Sequence, residues 1–530
     1  MKFAVRFALA SVLLLPTAVF AAPVANPLAQ GEQAMQAKNY AQAYKLLMPL
    51  ARKGKAKAEN DIAVLYLEGW GVTEDHRKAF KWALRGAQGG NKWAQLLIGD
   101  LYRHGNGVDK NPARAVFWYD KAASQGLRPA QIKLARLYLS GSGTAASPVK
   151  AASWYGRAAG QGSSVAMTWL GNAYDKGIGV QQNALTSARW YMRAAYKGDE
   201  DAQYRLGLAF SQGKGVGVNP YTALRWFKQT ADHNYPPGED ALGQVYARGL
   251  GVKPNAAKSL DYYRQAANSG YAPSQTRLAL ILAAPDSPHD ATQAAEWAEK
   301  AANQGYPPGE YVLAAFYRNG IGVKTNWQRS LALLQKAAEA GLPAAQLRLG
   351  SLLQTGGGGV RRDPRKALVI YQKGAAAGNG AAMMRIAQAY RDGTGVKHDP
   401  KQALAWTQRA AQAGDPQGAY RLGLAYRNGA GLPQDNQQAA YWLAKAVADG
   451  STAARKPLGR LCAGPRVCNT EQRSLAVNGK SKGRQVAGSV GIAVGEVHED
   501  PDLSRLVLSP ASATLEPGRT TASSGGKPKQ

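Results

Sequence analysis

Cysteine is almost missing from this sequence. Cys462 and Cys468 are the only two in 530 residues, which excludes a disulfide-dense scaffold and leaves too few thiols for a zinc site built from cysteine. Their C-x5-C spacing is also not the C-x-x-C of a redox-active pair; in an oxidising compartment it suits a single disulfide. Histidine is nearly as scarce. His76, His104, His233, His289, His398 and His498 fall at unrelated positions, so no ligand cluster forms, and no metal or cofactor is expected. Acidic residues are outnumbered, 35 against 66 Lys and Arg, giving a net charge of +31. That balance speaks to partners and solubility, not to fold. Beyond the N-terminus no apolar run is long enough to span a bilayer. No nucleic-acid-binding motif of a known fold is present, so nucleic acid is not an expected partner.

What the chain does have is a period. Small residues recur at Ala58, Ala94, Ala130, Ala166, Ala202, Gly238, Ser274, Gly309, Ala345, Ala382 and Gly418, in steps of 36 residues broken by one 35 and one 37. These open eleven full repeats, and a twelfth starts at Ala454 and stops after one helix. Four residues after the opener stands Leu or Ile followed by Gly or Ala, and eight after it an aromatic ring, as in Leu170, Gly171 and Tyr174. Spacing by four marks one face of a first helix, and a glycine inside that helix signals close packing against another. Paired glycines then end the helix, as Gly105 and Gly107 do before Val108. A second helix carries Trp82, Trp118, Trp154, Trp190, Trp226, Trp297, Trp406 and Trp442 in one column, which reads as packing between repeats. Trp70, Trp93, Trp169 and Trp327 lie off that column and are candidates for exposure. A closing glycine such as Gly126 caps the second helix.

The pattern A-x3-L-G-x2-Y-x2-G-x-G-V…A-x2-W-Y-x2-A-A-x2-G, seen whole in residues 130–162 and 166–198, resembles the Sel-1-like repeat family, a relative of tetratricopeptide repeats. The resemblance covers residues 58–450 and implies an all-α fold, a right-handed superhelical solenoid of helix-turn-helix repeats. Three repeats depart from it. The seventh has lost its glycine turn, the eighth has Leu333 where Trp would be, and the ninth has four consecutive glycines at 356–359 and one extra residue. These are expected to be the places where the superhelix bends.

The ends differ from the repeats. Residues 1–21 read as a secretory signal, with Lys2 and Arg6 before an apolar run at 7–20 and a small-x-small site at Val19-Phe20-Ala21. No cysteine follows, so a lipoprotein anchor is not available, and a periplasmic or secreted protein, monomeric and without a membrane span, is expected. Residues 22–57 read as an N-terminal cap with a degenerate helix pair, and residues 451–468 as a C-terminal capping helix with the cysteine pair. Residues 469–530 are rich in Gly, Ser, Lys, Pro and Thr and read as a largely disordered tail, with a short hairpin expected over 484–497.

No catalytic constellation stands out. Ser147-Pro148-Val149-Lys150 matches S-x-x-K but opens a second helix and has no S-D-N or K-T-G partner. A Cys-rich branch of the resembled family is linked to β-lactam binding; its paired cysteines are absent here, which makes a β-lactam-interacting enzyme the least favoured reading. The glycine turns lack the Lys-Ser/Thr of a phosphate-binding loop. Basic residues do form columns. Three after the opener stand Lys133, Arg205, Arg277, Arg348, Arg385 and Arg421; nine after it stand Arg103, Arg318, Arg391 and Arg427, followed by His104, Asn319, Asp392 and Asn428. In the related tetratricopeptide repeat the matching position faces a concave groove. By that resemblance Arg103, His104, Arg318, Asn319, Arg391, Arg427 and Asn428 would bind a partner. The expected function is a non-enzymatic adaptor that docks a protein of the envelope or of a secretion machinery. The alternative is binding of an acidic polysaccharide or lipopolysaccharide, and the bland reading of the rows is a solvated face.

Overall fold

A computed structural model describes residues 26–284, 290–357, 359–464 and 467–478. The signal segment and the expected hairpin lie outside them. The chain divides into two compact bodies between Asp199 and Glu200. The N-terminal body holds the cap and repeats one to four; the C-terminal body holds repeats five to eleven and the terminal helices. Each is an all-α solenoid of helix pairs, and no strand forms among the described residues; an isolated bridge joins Gly357 and Val360.

Most repeats share one local chemistry, whereas the first helix of repeat seven ends on Ala283 in the right-handed conformation. A first helix such as Lys92–His104 ends on a glycine in the left-handed conformation, Gly105 at φ 83°, whose N–H returns to Leu101. The second glycine of the turn serves a different need. A Cβ on Gly71 would lie 2.6 Å from the backbone carbon of Tyr40, so the turn sits directly on the preceding helix pair. The second helix starts at an Asp, Asn or Ser whose side chain accepts from the backbone N–H three residues on: Asp75 in repeat one, Asn111 in two, Asn183 in four, Asp399 in ten. That cap's own N–H donates to the carbonyl of the first-helix aromatic, Asn111 to Tyr102 at 2.7 Å and Asn183 to Tyr174 at 2.8 Å. The aromatic column therefore fixes the turn through its backbone as well as the core through its ring.

The tryptophan column packs against the core from its margin, as packing between repeats requires. Trp118 is 8% exposed, but the other members are half-buried. A cation three residues on lies across seven of the rings, for example Arg157 at 4.5 Å from Trp154 and Lys300 at 3.9 Å from Trp297. The residue after Trp goes inward instead. Tyr119 and Phe227 are fully buried, each flat against the first-helix glycine, and a Cβ on Gly99 or Gly207 would stand 2.6 Å from the ring. The glycine is thus the seat of an aromatic ring from the second helix. The off-column tryptophans split. Trp70, Trp93 and Trp327 are exposed, Trp70 while stacked on Tyr40 at 4.7 Å, whereas Trp169 is half-buried and stacks on Tyr155 at 4.2 Å.

The expected cap helices are present at Pro27–Gln36 and Tyr40–Arg52. At the other end Cys462 and Cys468 are joined in a disulfide. The helix expected at 451–468 is short, Arg455–Cys462, and a further helix, Thr470–Asn478, begins the segment read as tail. Leu475 buries itself with Leu458 and Cys462, which is why this part of the chain is ordered.

Candidate functional site

The plus-nine arginines end the first helices and are half-buried. In the N-terminal body Arg103 neighbours the phenol of Tyr119, whose hydroxyl donates to Asp100 at 2.6 Å; burial and then Asp100 push that phenol well up. His104 is exposed beside it. In the C-terminal body each arginine leans on the residue after it: Arg318 on Asn319 Oδ1 at 3.1 Å, Arg391 on Asp392 at 3.6 Å, Arg427 on Asn428 Oδ1 at 3.0 Å.

The plus-three and plus-nine columns, separate in sequence, meet across successive repeats of that body. Burial, and after it the charge of Arg348, hold the Arg318 guanidinium below its ordinary value. Burial and then Arg391 do the same to Arg421. Arg318 and Arg348 line one small cavity whose like charges an acidic group would relieve, whereas beside Arg391 and Arg421 the Asp392 carboxylate already supplies part of that relief. Other plus-three residues are already engaged. Lys133 pairs with Asp100 at 2.6 Å and Arg205 with Asp201 at 2.9 Å. Arg277 is 5% exposed and reaches Asp240 at 3.3 Å, in a buried network where Ser274 and Gln244 also donate to Asp240. Arg277 therefore cannot line an accessible groove.

Ser147 takes its place in the capping column. Its Oγ accepts from the backbone N–H of Lys150 at 3.4 Å, while the Lys150 ammonium lies 5.3 Å from the centre of the Tyr138 ring. Nothing aims that lysine at the serine as a base. Among the described residues no three His, Cys, Asp or Glu side chains gather as a metal site, and no helix is long and apolar enough to cross a membrane.

The sequence reading missed a cavity at the glycine run of repeat nine. It measures about 840 Å³ and is lined by Arg361, Arg362, Arg365, Lys366 and Lys397, with Asp363 as the acidic group among them. Asp363 is committed: its Oδ1 accepts from the Lys366 N–H at 3.0 Å to cap the helix Pro364–Ala376. The extra residue lets Gly356, Gly357 and Gly359 take φ of 80°, 114° and 76°, widening the turn where other repeats close it with one G-x-G. The basic run that follows the glycines was the signal available in the sequence. One of the repeats that depart from the pattern thus opens a pocket.

The comparisons with known proteins agree with the repeat register. The Sel1 repeat pattern matches eleven times, at residues 56–91, 94–127, 128–163, 164–199, 200–235, 236–271, 272–306, 307–342, 343–379, 380–415 and 416–451. Among solved structures the chain is similar to c5321, a protective antigen of uropathogenic Escherichia coli with an SLR fold, at 29% identity over 90% of this chain and 99% of that one, with a TM-score of 0.48. It is also similar to a Sel1 repeat protein from Oxalobacter formigenes, at 33% identity over 46% and 97%, TM-score 0.41. The immunity protein Pa5087 from Pseudomonas aeruginosa matches at 22% identity over 44% and 86%, TM-score 0.28. No curated protein matches the chain.

Proposed function

The chain belongs to the Sel1 repeat family, whose members are generally protein-interaction scaffolds, and we propose that it is an exported, non-enzymatic adaptor of the cell envelope that docks a protein partner on the arginine strip of its C-terminal body. The observation that carries this reading is that Arg318 and Arg348, from successive repeats, line one small cavity, in line with the half-buried Arg391 and Arg427 at the same helix ends of later repeats. Like charges that share a half-buried cavity repel each other, and a partner carboxylate held bidentately offsets that cost. The disulfide between Cys462 and Cys468 supports an oxidising compartment and hence export.

The test is a pull-down from envelope extract with residues 22–530 across a salt series, beside a variant with Arg318→Ala, Arg391→Ala and Arg427→Ala. A discrete protein retained at high salt by the parent and lost by the variant is the expected result. Equal capture by both proteins would reduce the strip to a solvated face. The net charge of +31 keeps a second reading in play, an acidic polysaccharide on the same strip. Polymer released by modest salt is the outcome that would favour it, because exposed charge pairs are screened.

A further inference from the structure

In repeats two, three and seven a glutamine of the first helix is held by a second glutamine at the end of the second helix, and in repeat nine that arrangement lacks its donor. In repeat two Gln95 donates through Nε2 to the Ala87 carbonyl at 3.2 Å, and its Oε1 accepts from Gln125 at 2.7 Å. Repeat three copies this with Gln131, Ala123 and Gln161, and repeat seven with Gln275, Ala267 and Gln304. In repeat nine Gln346 donates to the Ala338 carbonyl at 3.1 Å in the same way. The donor is missing, however, because the C-cap position held by Gln125, Gln161 and Gln304 is Ala377. Gln346 Oε1 is left with no hydrogen-bond partner on a side chain only 6% exposed. A buried acceptor without a donor costs about 1–3 kcal/mol, so the vacancy calls for an N–H from elsewhere.

Gln346 lines a second cavity of about 420 Å³, beside the basic one and sharing Leu353, Val360 and Lys366 with it. Leu331, Leu349, Val369 and Ile370 line it together with Gln335, Glu339 and Lys373. Ile370 stands in the tryptophan column, and Lys373 is three residues on, where other repeats lay a cation across the ring. The slot exists where the indole, the second glutamine and the short glycine turn are all absent at once.

We propose that the cavity and slot together bind an acidic peptide segment of a partner protein, with carboxylates among Arg361, Arg362, Arg365 and Lys397, an aliphatic side chain in the slot, and a backbone N–H on Gln346 Oε1. This goes beyond the arginine strip, because different residues make the site. A saccharide brings no aliphatic group for Leu331, Leu349 and Ile370. An acidic lipid would set its chains against the Gln335 amide and the Glu339 carboxylate. A peptide meets all three features, since its backbone donates, its carboxylates pair with arginine, and its side chains alternate in kind.

The experiment measures fluorescence anisotropy of a fluorescein-labelled peptide of alternating glutamate and leucine, titrated with residues 22–530. Reversing the mouth with Arg361→Glu, Arg365→Glu and Lys397→Glu, all at exposed positions, is expected to weaken binding about tenfold or more, since each removes an attraction and adds a repulsion. Ala377→Gln restores the donor, so it should raise thermal stability while weakening the peptide about fivefold by occupying the acceptor. A protein stabilised in this way cannot have lost binding through misfolding. The strip variant Arg391→Ala with Arg427→Ala should bind the peptide as the parent does, which separates this site from the adaptor reading above. The proposal is overturned if the mouth variant binds like the parent, or if a lysine–leucine peptide binds equally well. It is overturned too if a heparin hexasaccharide or phosphatidylglycerol vesicles bind more tightly than the acidic peptide and ignore Ala377→Gln.

Discussion

Replacing Gly99 with alanine tests whether the first-helix glycine is a seat for a ring or merely a weak point in a helix. Two effects of opposite sign compete. Alanine improves helix propensity by about 1 kcal/mol over glycine. Against that, the new Cβ would stand 2.6 Å from Tyr119 Cε1 and 2.7 Å from Cδ1, about 1 Å inside ordinary carbon contact. The ring has no room to recoil. Tyr119 is fully buried, its hydroxyl is held by Asp100 at 2.6 Å, and Asp100 is held by Lys133 at 2.6 Å. Overpacking of this kind costs about 1–3 kcal/mol, so Gly99→Ala should destabilise by up to about 2 kcal/mol after the helix gain is subtracted. Gly156 is the control, since it lies inside the helix Pro148–Gly160 with nothing within 4 Å of its would-be Cβ. Gly156→Ala should therefore stabilise by up to about 1 kcal/mol. Urea unfolding followed by circular dichroism, with amide exchange to localise the effect, reads both variants, because each repeat leans mainly on its neighbours. A Gly99→Ala protein as stable as Gly156→Ala would refute the reasoning.

Two further perturbations follow from the same structure. Burial raises the Asp61 carboxyl from 3.8 to about 6, against the smaller pull of the Asn60 amide. The folded chain thus holds this proton more tightly than the unfolded one, so the stabilisation is full below about pH 4 and is lost as pH rises through 6. Asp61→Asn should flatten that part of the melting-temperature profile and raise the midpoint at neutral pH; an unchanged slope between pH 4 and 6 would count against it. Ser147→Ala should cost about 0.5–1 kcal/mol through loss of the cap, visible as faster amide exchange at the start of Pro148–Gly160. A fluorescent penicillin should label neither parent nor variant, and labelling of the parent that vanishes in the variant would restore the enzymatic reading.

Much of the fold was legible because each repeat spells out its own ends. Asn111 as cap, Gly105 as stop and Tyr102 on the inward face are local choices, made within a few residues and repeated until they cannot be mistaken. The depth of the tryptophan column was not legible, because periodicity locates a residue on a helix without saying how far the neighbouring repeat covers it. Trp154 and the Tyr155 beside it recur equally faithfully, yet only the tyrosine lies over a small residue of the first helix. The site was less legible still. Arg277 and Arg348 occupy one column, but Asp240 in the preceding repeat buries the first and Arg318 crowds the second.

By itself the sequence determined the repeat, its register, the helix ends, the family and the excess of positive charge, since all of these depend on residues near one another in the chain or on simple sums. Tertiary structure alone decided which cations are spent on internal carboxylates, which glycines carry a ring, and where the glutamine pairing seen at Gln95 loses its donor. The physical reason is distance along the chain. A glutamine and its acceptor lie about thirty residues apart, as Gln125 and Gln95 do, and whether a substitution such as Ala377 leaves a filled gap or an open slot depends on what the adjoining helices bring to the same point.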